Sequence, residues 1–255
     1  MQLGQEGYSH HELDCVCNAH KLATRLFTGL YGPSGKDFMV HVVGMASILG
    51  SLRVPSTVVA AGLLCEAYEH GDFGTWSKGI SGRKREEVKL AVGEEVEEYV
   101  ARYAALPWNR KTIPIIHERI DALEPMDRDV VLLRLANKLE DLSDLGPLYC
   151  FSAENKRRTY LRQGPLMIGI AERLGFPTLG RELARVLEET ASSEVSPGLR
   201  SRHEGVVLIP PRSYCRRTRV LFCQESTRVF ERLRSMTKVR TRFRKIVHRI
   251  RQVSM

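Results

Sequence analysis

Side chains that can bind metals or transfer protons occur at three separated places in the sequence. They are His41, then Cys65, Glu66, Glu69 and His70, and finally Asn137, Glu140 and Asp141. Imidazole, thiolate and carboxylate groups are common ligands of transition metals, and a carboxylate beside a metal-bound water can act as a base. A helix would place Glu66 with His70, and Cys65 with Glu69, on shared faces. The pattern predicts a metal site if three elements bring these residues together.

Each of these residues also has an ordinary structural interpretation. A thiol such as Cys65 is usually a small buried group, and acids such as Glu66 and Glu69 are typical of a solvated surface or an ion pair. His41 lies among apolar residues, where a hydrogen-bonded core histidine is common. Asn137 could satisfy a buried carbonyl. The spacing alone leaves both interpretations open.

Apolar residues recur at helical spacing along most of the chain, and this periodicity predicts an all-α fold. Helices are predicted over 10–30, 38–52, 55–68, 83–92, 94–106, 113–123, 126–145, 154–174 and 179–191. Asp37 is predicted to cap the second helix, and Gly71 to end the third. Strand signals are sparse, although 206–209 could form one short strand. The second, third and seventh helices must therefore position the candidate residues.

The composition is that of a globular chain with free thiols. With 255 residues and 43% hydrophobic content, the chain can form one large core, alone or with an appendage. No apolar run approaches the roughly 20 residues that span a bilayer, and the first residues lack the features of a signal peptide. Six cysteines without a C-x-x-C pair are typical of a reducing compartment. A cytoplasmic location is expected.

The net charge of +9 is concentrated at the C-terminal end. Residues 216–255 hold 13 Lys or Arg and two acidic residues, a net +11, which leaves −2 for residues 1–215. We predict a helical domain over 1–191, a linker containing Gly and Pro over 192–215, and a basic amphipathic helix over 216–255.

The basic segment predicts an anionic partner, and the sequence leaves the kind of partner open. Nucleic acid, an acidic protein or an anionic membrane would each suit it, and the last would make the protein peripheral to a membrane. A helix packed against the rest of the chain is the structural alternative. The cations expected to contact a polyanion are Arg240, Arg242, Arg244 and Lys245. No base-reading motif is visible, so sequence-specific DNA binding is not expected.

The candidate residues fall within motifs whose order resembles the HD superfamily of metal-dependent phosphohydrolases. The likeness is greatest to the hydrolase domain of RelA/SpoT-type alarmone enzymes. Their Ser-Gly-x-x-aromatic-x-x-His motif corresponds to residues 34–41, and their Ala-x-Leu-Leu-His-Asp-x-x-Glu-Asp motif to residues 61–70. Three further blocks of the family correspond to residues 93–96, 134–141 and 165–176. The resemblance covers roughly 13–189 and implies an HD-type helical bundle.

The resemblance also implies a metal-ligand set, which this chain keeps only in part. The family holds its metal with a His, an adjacent His-Asp pair and a later Asp, and the matching positions are His41, Cys65, Glu66 and Asn137. Manganese is the metal of the family, whereas a Cys ligand would favour zinc. The alternative is that no metal binds.

The family's catalytic and substrate-binding residues are also only partly kept. Its catalytic Glu-Asp pair corresponds to Glu69, expected to act as the base, and His70, expected to stabilise phosphate charge. The basic residue that stacks on guanine in the family falls at Gly32. The residues expected to contact the substrate are Lys36, Lys138 and Asp141.

Three functions are compatible with these residues. The first is an HD-related protein with impaired metal-dependent catalysis, which acts as a regulatory or nucleotide-sensing module for a guanosine tetraphosphate-type ligand. The second is an active metal-dependent phosphohydrolase with a variant His/Cys/Glu site. The third is an adaptor that binds nucleic acid or a membrane through its basic segment. An enzymatic activity therefore stays open.

Overall fold

The structure is a computed structural model that describes residues 2–74 and 78–209. Its twelve α-helices within those ranges are α1 Gln2–Gln5, α2 His10–Phe27, α3 Phe38–Ser51, α4 Ser56–Leu64, α5 Ala67–His70, α6 Gly82–Val92, α7 Glu94–Ala105, α8 Thr112–Arg119, α9 Pro125–Ser143, α10 Gly146–Tyr149, α11 Ala153–Arg173 and α12 Pro177–Ser192. Short 3-10 turns cover Ile120–Ala122 and Pro197–Leu199, and the two strands are β1 Leu30–Tyr31 and β2 Val207–Leu208. The predicted all-α fold class is confirmed.

Side chains at the helix starts explain where α2 and α3 begin. Ser9 and Glu12 form a capping box at the start of α2, in which each side chain bonds the backbone N–H of the other residue. The Asp37 side chain accepts a hydrogen bond of 2.7 Å from the N–H of Met39, as the predicted cap of α3 requires. The Asp37 cap therefore fixes where α3, the helix that carries His41, begins.

The core lies between α2, α3, α4, α7 and α9, which pack against one another. Fully buried side chains such as Phe27, Met45 and Leu133 fill it. A Cβ at Gly62 would lie 2.5 Å from Leu49 Cδ1, so the glycine allows α3 and α4 to approach closely. The close contact brings the C-terminal end of α4 beside α3 and α9.

The third predicted helix is interrupted, which corrects the expectation of one helix over 55–68. Helix α4 ends at Leu64, and Glu66, with φ −90° and ψ 4°, separates it from the single turn α5. The Cys65 side chain is consequently buried while Glu69 is exposed. The two do not share a face, because the helical period is not continuous between them.

The chain after α12 returns to the helical body. Strand β2 pairs antiparallel with β1, with Leu30 opposite Leu208 and Tyr31 opposite Val207, so the short strand expected near 206–209 is present. The compact unit that contains the helices extends to Ile209, beyond the predicted domain end at 191, and a second unit begins at Pro210. The predicted basic helix over 216–255, with Arg240, Arg242, Arg244 and Lys245, lies outside the described residues.

None of the helices described between residues 2 and 209 is both long and apolar enough to cross a membrane.

Candidate functional site

Helices α3 and α9 and the α4–α5 junction surround a cavity of about 300 Å³. The predicted site residues that line it are Lys36, His41, Glu66, His70, Asn137, Lys138 and Asp141. Residues 204–206, which follow the last helix, line the same cavity. The three separated sequence regions therefore meet at one place.

The Asn137 amide lies between the two other residues that correspond to family ligands. Its Nδ2 atom is 3.0 Å from His41 Nε2 and 3.3 Å from Glu66 Oε1. Asn137 is almost fully buried, so these contacts replace hydrogen bonds to water. The amide N–H groups can donate to the imidazole nitrogen and to the carboxylate at the same time.

A carboxylate on α9 orients the His41 ring from its other side. Glu140 Oε2 lies within hydrogen-bond distance of His41 Nδ1, and the buried Glu140 also pairs with Lys36. Burial acts to lower the pKa of His41, but the hydrogen bond to Glu140 and the charge of Asp141 outweigh it and raise that pKa. In the neutral ring, a proton on Nδ1 facing Glu140 leaves Nε2 as the acceptor for the Asn137 amide, whereas the protonated ring carries an N–H on both nitrogens.

A glycine on α3 makes room for the Glu140 carboxylate. A Cβ at Gly44 would lie 2.7 Å from Glu140 Oε1, so a larger residue would displace the carboxylate from His41. Gly44 follows His41 by three residues and so lies on the same face of α3. The helix that carries the imidazole therefore also accommodates its partner.

Cys65 does not face the cavity. Its Sγ atom is 3.7 Å from Met45 Sδ, and the side chain is buried in the core. Burial, together with the Glu66 carboxylate, holds the pKa of the Cys65 thiol well above its usual value. The thiol is therefore neutral at pH 7, whereas a metal ligand must be a thiolate.

Two groups of acidic and imidazole side chains in the described part of the chain are compact enough to hold a metal ion. In each group, the ligand atoms lie within 4.8 Å of one another, and the groups are His41 with Glu140 and Asp141, and Glu66 with Glu69 and His70. Neither group contains the Cys65 thiol. As arranged, the four predicted ligand positions do not present four donor atoms to one point. Their role as a metal site stays a prediction.

Lysine ammonium groups already neutralise the carboxylates of the first group. Lys36 pairs with Glu140 and lies 2.9 Å from Asp144 Oδ2, while Lys138 Nζ lies 2.9 Å from Asp141 Oδ2. A divalent ion would have to compete with these cations for the same oxygens.

The second group lies at the interruption between α4 and α5. His70 Nε2 is 3.8 Å from Glu66 Oε2, and burial lowers the pKa of His70. Glu69 is exposed, so its carboxylate reaches the group from the solvent side. Of the predicted catalytic pair, His70 lines the cavity and Glu69 does not, and their catalytic roles stay predictions.

Two tyrosines that the sequence did not single out, together with the candidate residue Glu140, complete the hydrogen bonds of the site. Tyr103 on α7 donates a hydrogen bond of 3.0 Å to Glu66 Oε1, and Tyr160 on α11 donates one of 3.0 Å to Asp141 Oδ2. Tyrosines on amphipathic helices are typical core residues, and an acid three residues after Asn137 is typical of a helix surface. The only available sequence signal was the interruption of an apolar face at Asn137 and Glu140.

The chain belongs to the HD-domain family, whose pattern matches residues 19–176 and hence more than half of its length. The predicted membership of the HD superfamily is thereby confirmed. No curated protein matches the chain.

One similar solved structure is that of a metazoan ortholog of SpoT that hydrolyses ppGpp and plays a role in starvation responses. It is 18% identical over 71% of this chain and 96% of the other, with a TM-score of 0.47.

Proposed function

We propose that this HD-domain protein binds a phosphorylated nucleotide of the guanosine tetraphosphate type and acts as a regulatory or sensing module with impaired metal-dependent hydrolysis. The observation that carries the proposal is the position of the Asn137 amide, 3.0 Å from His41 Nε2 and 3.3 Å from Glu66 Oε1. Both atoms belong to residues that correspond to metal ligands in the HD superfamily. A hydrogen-bond donor between them takes up the lone pairs that an ion would use.

The charge of the site supports the same proposal. Asn137 is neutral where the family has an aspartate, and the Cys65 thiol is protonated and turned into the core. A divalent ion bound at Glu66 and His41 would therefore have fewer negatively charged ligands than it has in the family's site. Glu66 already accepts hydrogen bonds from Asn137 and Tyr103, both at Oε1, so an ion at that oxygen would have to displace them.

Basic side chains around the cavity support a phosphorylated ligand. Lys36 and Lys138 line it from two sides, and each is held in place by an ion pair with a carboxylate. Lys78 lies exposed beside His70 and has no ion pair with another described residue. We propose that Lys78 and His70 meet the phosphate groups, while Lys36, Lys138 and Asp141 contact the remainder of the nucleotide.

Ligand binding without turnover is the test. Guanosine tetraphosphate and GDP should each raise the melting temperature of the full chain, and a concentration of 100 times Kd corresponds to about 2.7 kcal/mol of stabilisation. Phosphate or pyrophosphate release, assayed with manganese and with zinc, should stay at the rate without protein. Metal-dependent release that is lost in Glu69→Gln would contradict the proposal.

An active hydrolase is the second candidate, and the Glu66, Glu69 and His70 group favours it. Each of the three residues offers one ligand atom, and these atoms lie within 4.8 Å of one another. In this alternative, a divalent ion held by His41, Cys65 and Glu66 would supply Lewis acidity and an activated water, and the buried Cys65 thiol would have to turn toward the cavity and lose its proton to take part. Glu69 would then be the base nearest to that water, and Asn137 would orient the ligand. The Glu69→Gln assay above separates this candidate from the first.

The basic segment is a separate source of function. Its net charge of +11 over 216–255 supports contact with an anionic membrane, a nucleic acid or an acidic protein. We propose this segment as the part of the chain that sets the partner or the location. It remains compatible with either function of the cavity, because it follows the helical unit in the chain.

A further inference from the structure

A short segment beyond the HD-family match forms part of the cavity wall. We name residues 203–209 the strap. Glu204, Gly205 and Val206 of the strap line the same cavity as His41 and Asn137. The family pattern ends at residue 176, so this wall is a feature of the present chain in addition to its HD domain.

The strap is held at its C-terminal end by strand pairing. Val207 and Leu208 pair with Tyr31 and Leu30, and the Ile209 N–H donates a hydrogen bond of 2.7 Å to the Gly29 carbonyl. The pairing holds the preceding residues, 204–206, in place along the cavity. Val206 also packs against the hydrophobic core, so the docked position buries apolar surface.

The residue at position 29 is suited to the docked strap. Gly29 has φ +83°, a conformation that L side chains rarely adopt, and a Cβ there would lie 3.1 Å from the Ile209 carbonyl oxygen. Both the backbone conformation and the close approach therefore require glycine. A substitution should weaken the pairing of β1 with β2 without touching a residue of the cavity.

The docked state of the strap is held by few contacts. A ladder of two residues per strand is marginal by itself, and Leu208 and Ile209 remain partly exposed. At the other end, the Ser201 N–H donates a hydrogen bond of 2.6 Å to the Tyr149 carbonyl, which keeps the chain near the body if the strands separate. The free energy needed to open such a segment locally is expected to be low compared with that of the core helices.

We propose that the strap is a removable wall of the cavity, and that undocking it opens the cavity and weakens ligand binding. The predicted effect on ligand binding rests on the proposed nucleotide site. The role of the strap as a wall of the cavity does not depend on a ligand. Ligand that contacts residues 204–206 would in turn favour the docked strap, because binding and docking are then linked.

The ligand-independent test measures access to His70, which lines the cavity with its side chain 19% exposed. The full chain and Gly29→Ala are treated with diethyl pyrocarbonate, and modification of each histidine is followed by mass spectrometry. Gly175→Ala is the matched control, because Gly175 has φ +89° but no atom within 4 Å of the added Cβ. Exposed His20 is the internal reference.

If the strap forms a wall, His70 should be modified faster in Gly29→Ala than in the unmodified chain. The rate at His20 should be the same in both proteins, and Gly175→Ala should show the His70 rate of the unmodified chain. Hydrogen exchange at the Ile209 amide verifies that the strap has undocked. An undocked strap with an unchanged His70 rate overturns the proposal. If Gly29→Ala does not fold, Val206→Asp supplies the same test, since a charge there opposes docking against the core.

The ligand arm measures GDP binding to the same proteins by calorimetry. We expect Kd to rise about tenfold in Gly29→Ala, equivalent to 1.4 kcal/mol, and to stay unchanged in Gly175→Ala. If the strap is undocked in Gly29→Ala but all three proteins bind GDP with the same Kd, the proposed coupling between strap docking and ligand binding is overturned. Absence of GDP binding to the unmodified chain contradicts the proposed function instead, while the His70 measurement still decides whether the wall exists.

Discussion

At the scale of residues, the site consists of polar groups that satisfy one another. Asn137 donates to His41 and Glu66, Glu140 binds the other side of the His41 ring, and Tyr103 donates to Glu66. A buried polar set of this kind is stable only when each member has a partner. The substitution of one member therefore has consequences for the others.

Restoring the family's aspartate at position 137 is the first prediction. Asn137→Asp should lower the free energy of unfolding by about 1–3 kcal/mol, since a buried donor is lost and two carboxylates are brought together. Manganese or zinc should recover part of this loss in the variant and stabilise the unmodified chain much less. Denaturant unfolding with and without each metal measures both effects. Equal stabilisation of the two proteins by metal would contradict the prediction.

The space beside Gly44 is the subject of the second prediction. Gly44→Ala should displace the Glu140 carboxylate from His41 and lower the free energy of unfolding by about 1–3 kcal/mol, because its Cβ would lie 2.7 Å from Glu140 Oε1. Gly82→Ala is the control, since no atom lies within 4 Å of its added Cβ. Thermal unfolding compares the two. A stability loss no larger in Gly44→Ala than in the control would argue against the close contact.

The spacing of residues in the sequence identified most residues of the site, but it did not predict which of them form hydrogen bonds with one another. The meeting of His41, Glu66 and Asn137 was anticipated from motifs on three predicted helices. The pairing of Cys65 with Glu69 was wrong, because α4 ends before Glu66. Contacts between distant helices, such as that of Glu140 with His41, depend on packing that a single helix's periodicity does not describe.

At the scale of elements, ion pairs connect α6 to α7 next to the core. Arg85 of α6 bonds the fully buried Glu97 through two nitrogens at 2.7 Å and lies 2.8 Å from Glu98. Arg102, one turn further along α7, donates to Glu98 at 2.9 Å. The two arginines therefore hold α7 in the position from which Tyr103 reaches Glu66.

The third prediction concerns acid stability. The hydrogen bond from Arg102, aided by Arg85, outweighs burial and lowers the pKa of Glu98 in the folded chain. A lowered carboxyl pKa contributes stability above the unfolded value of 4.5, and this contribution is lost as the pH falls through the folded pKa. Glu98→Gln should thus be less stable than the unmodified chain at pH 7, with the difference shrinking below pH 4.5.

Urea unfolding of both proteins across this pH range measures the difference. A gap that is constant down to the acid limit, or that widens, would show that Glu98 does not contribute through its charge. Glu94→Gln is a suitable comparison, because the Glu94 side chain is largely exposed and contacts only Lys89 among the described ion pairs of α6 and α7.

The sequence predicted which segments form helices better than it predicted where a helix is interrupted. The long helix α9 and the caps of α2 and α3 agree with apolar period and capping chemistry. The break at Glu66 has no Gly or Pro to announce it. It lies where the α4–α5 segment lines the cavity, with Glu66 and His70 on the cavity wall.

At the scale of the whole molecule, the HD domain accounts for residues 19–176, and the chain adds features on its C-terminal side. The strap returns to pair with Leu30 and Tyr31 from almost 180 residues away. The sequence predicted a short strand over 206–209, but it gave no sign of the partner strand at Leu30 and Tyr31, because a pairing of two-residue strands leaves little pattern.

The metal content of the purified full chain, measured by inductively coupled plasma mass spectrometry after equilibration with manganese and with zinc, tests the central claim most directly. With the Asn137 amide between His41 and Glu66, we predict far less than one ion per chain at pH 7, and a clear increase in Asn137→Asp. One manganese or zinc ion bound per unmodified chain, and lost in His41→Ala, would contradict the account.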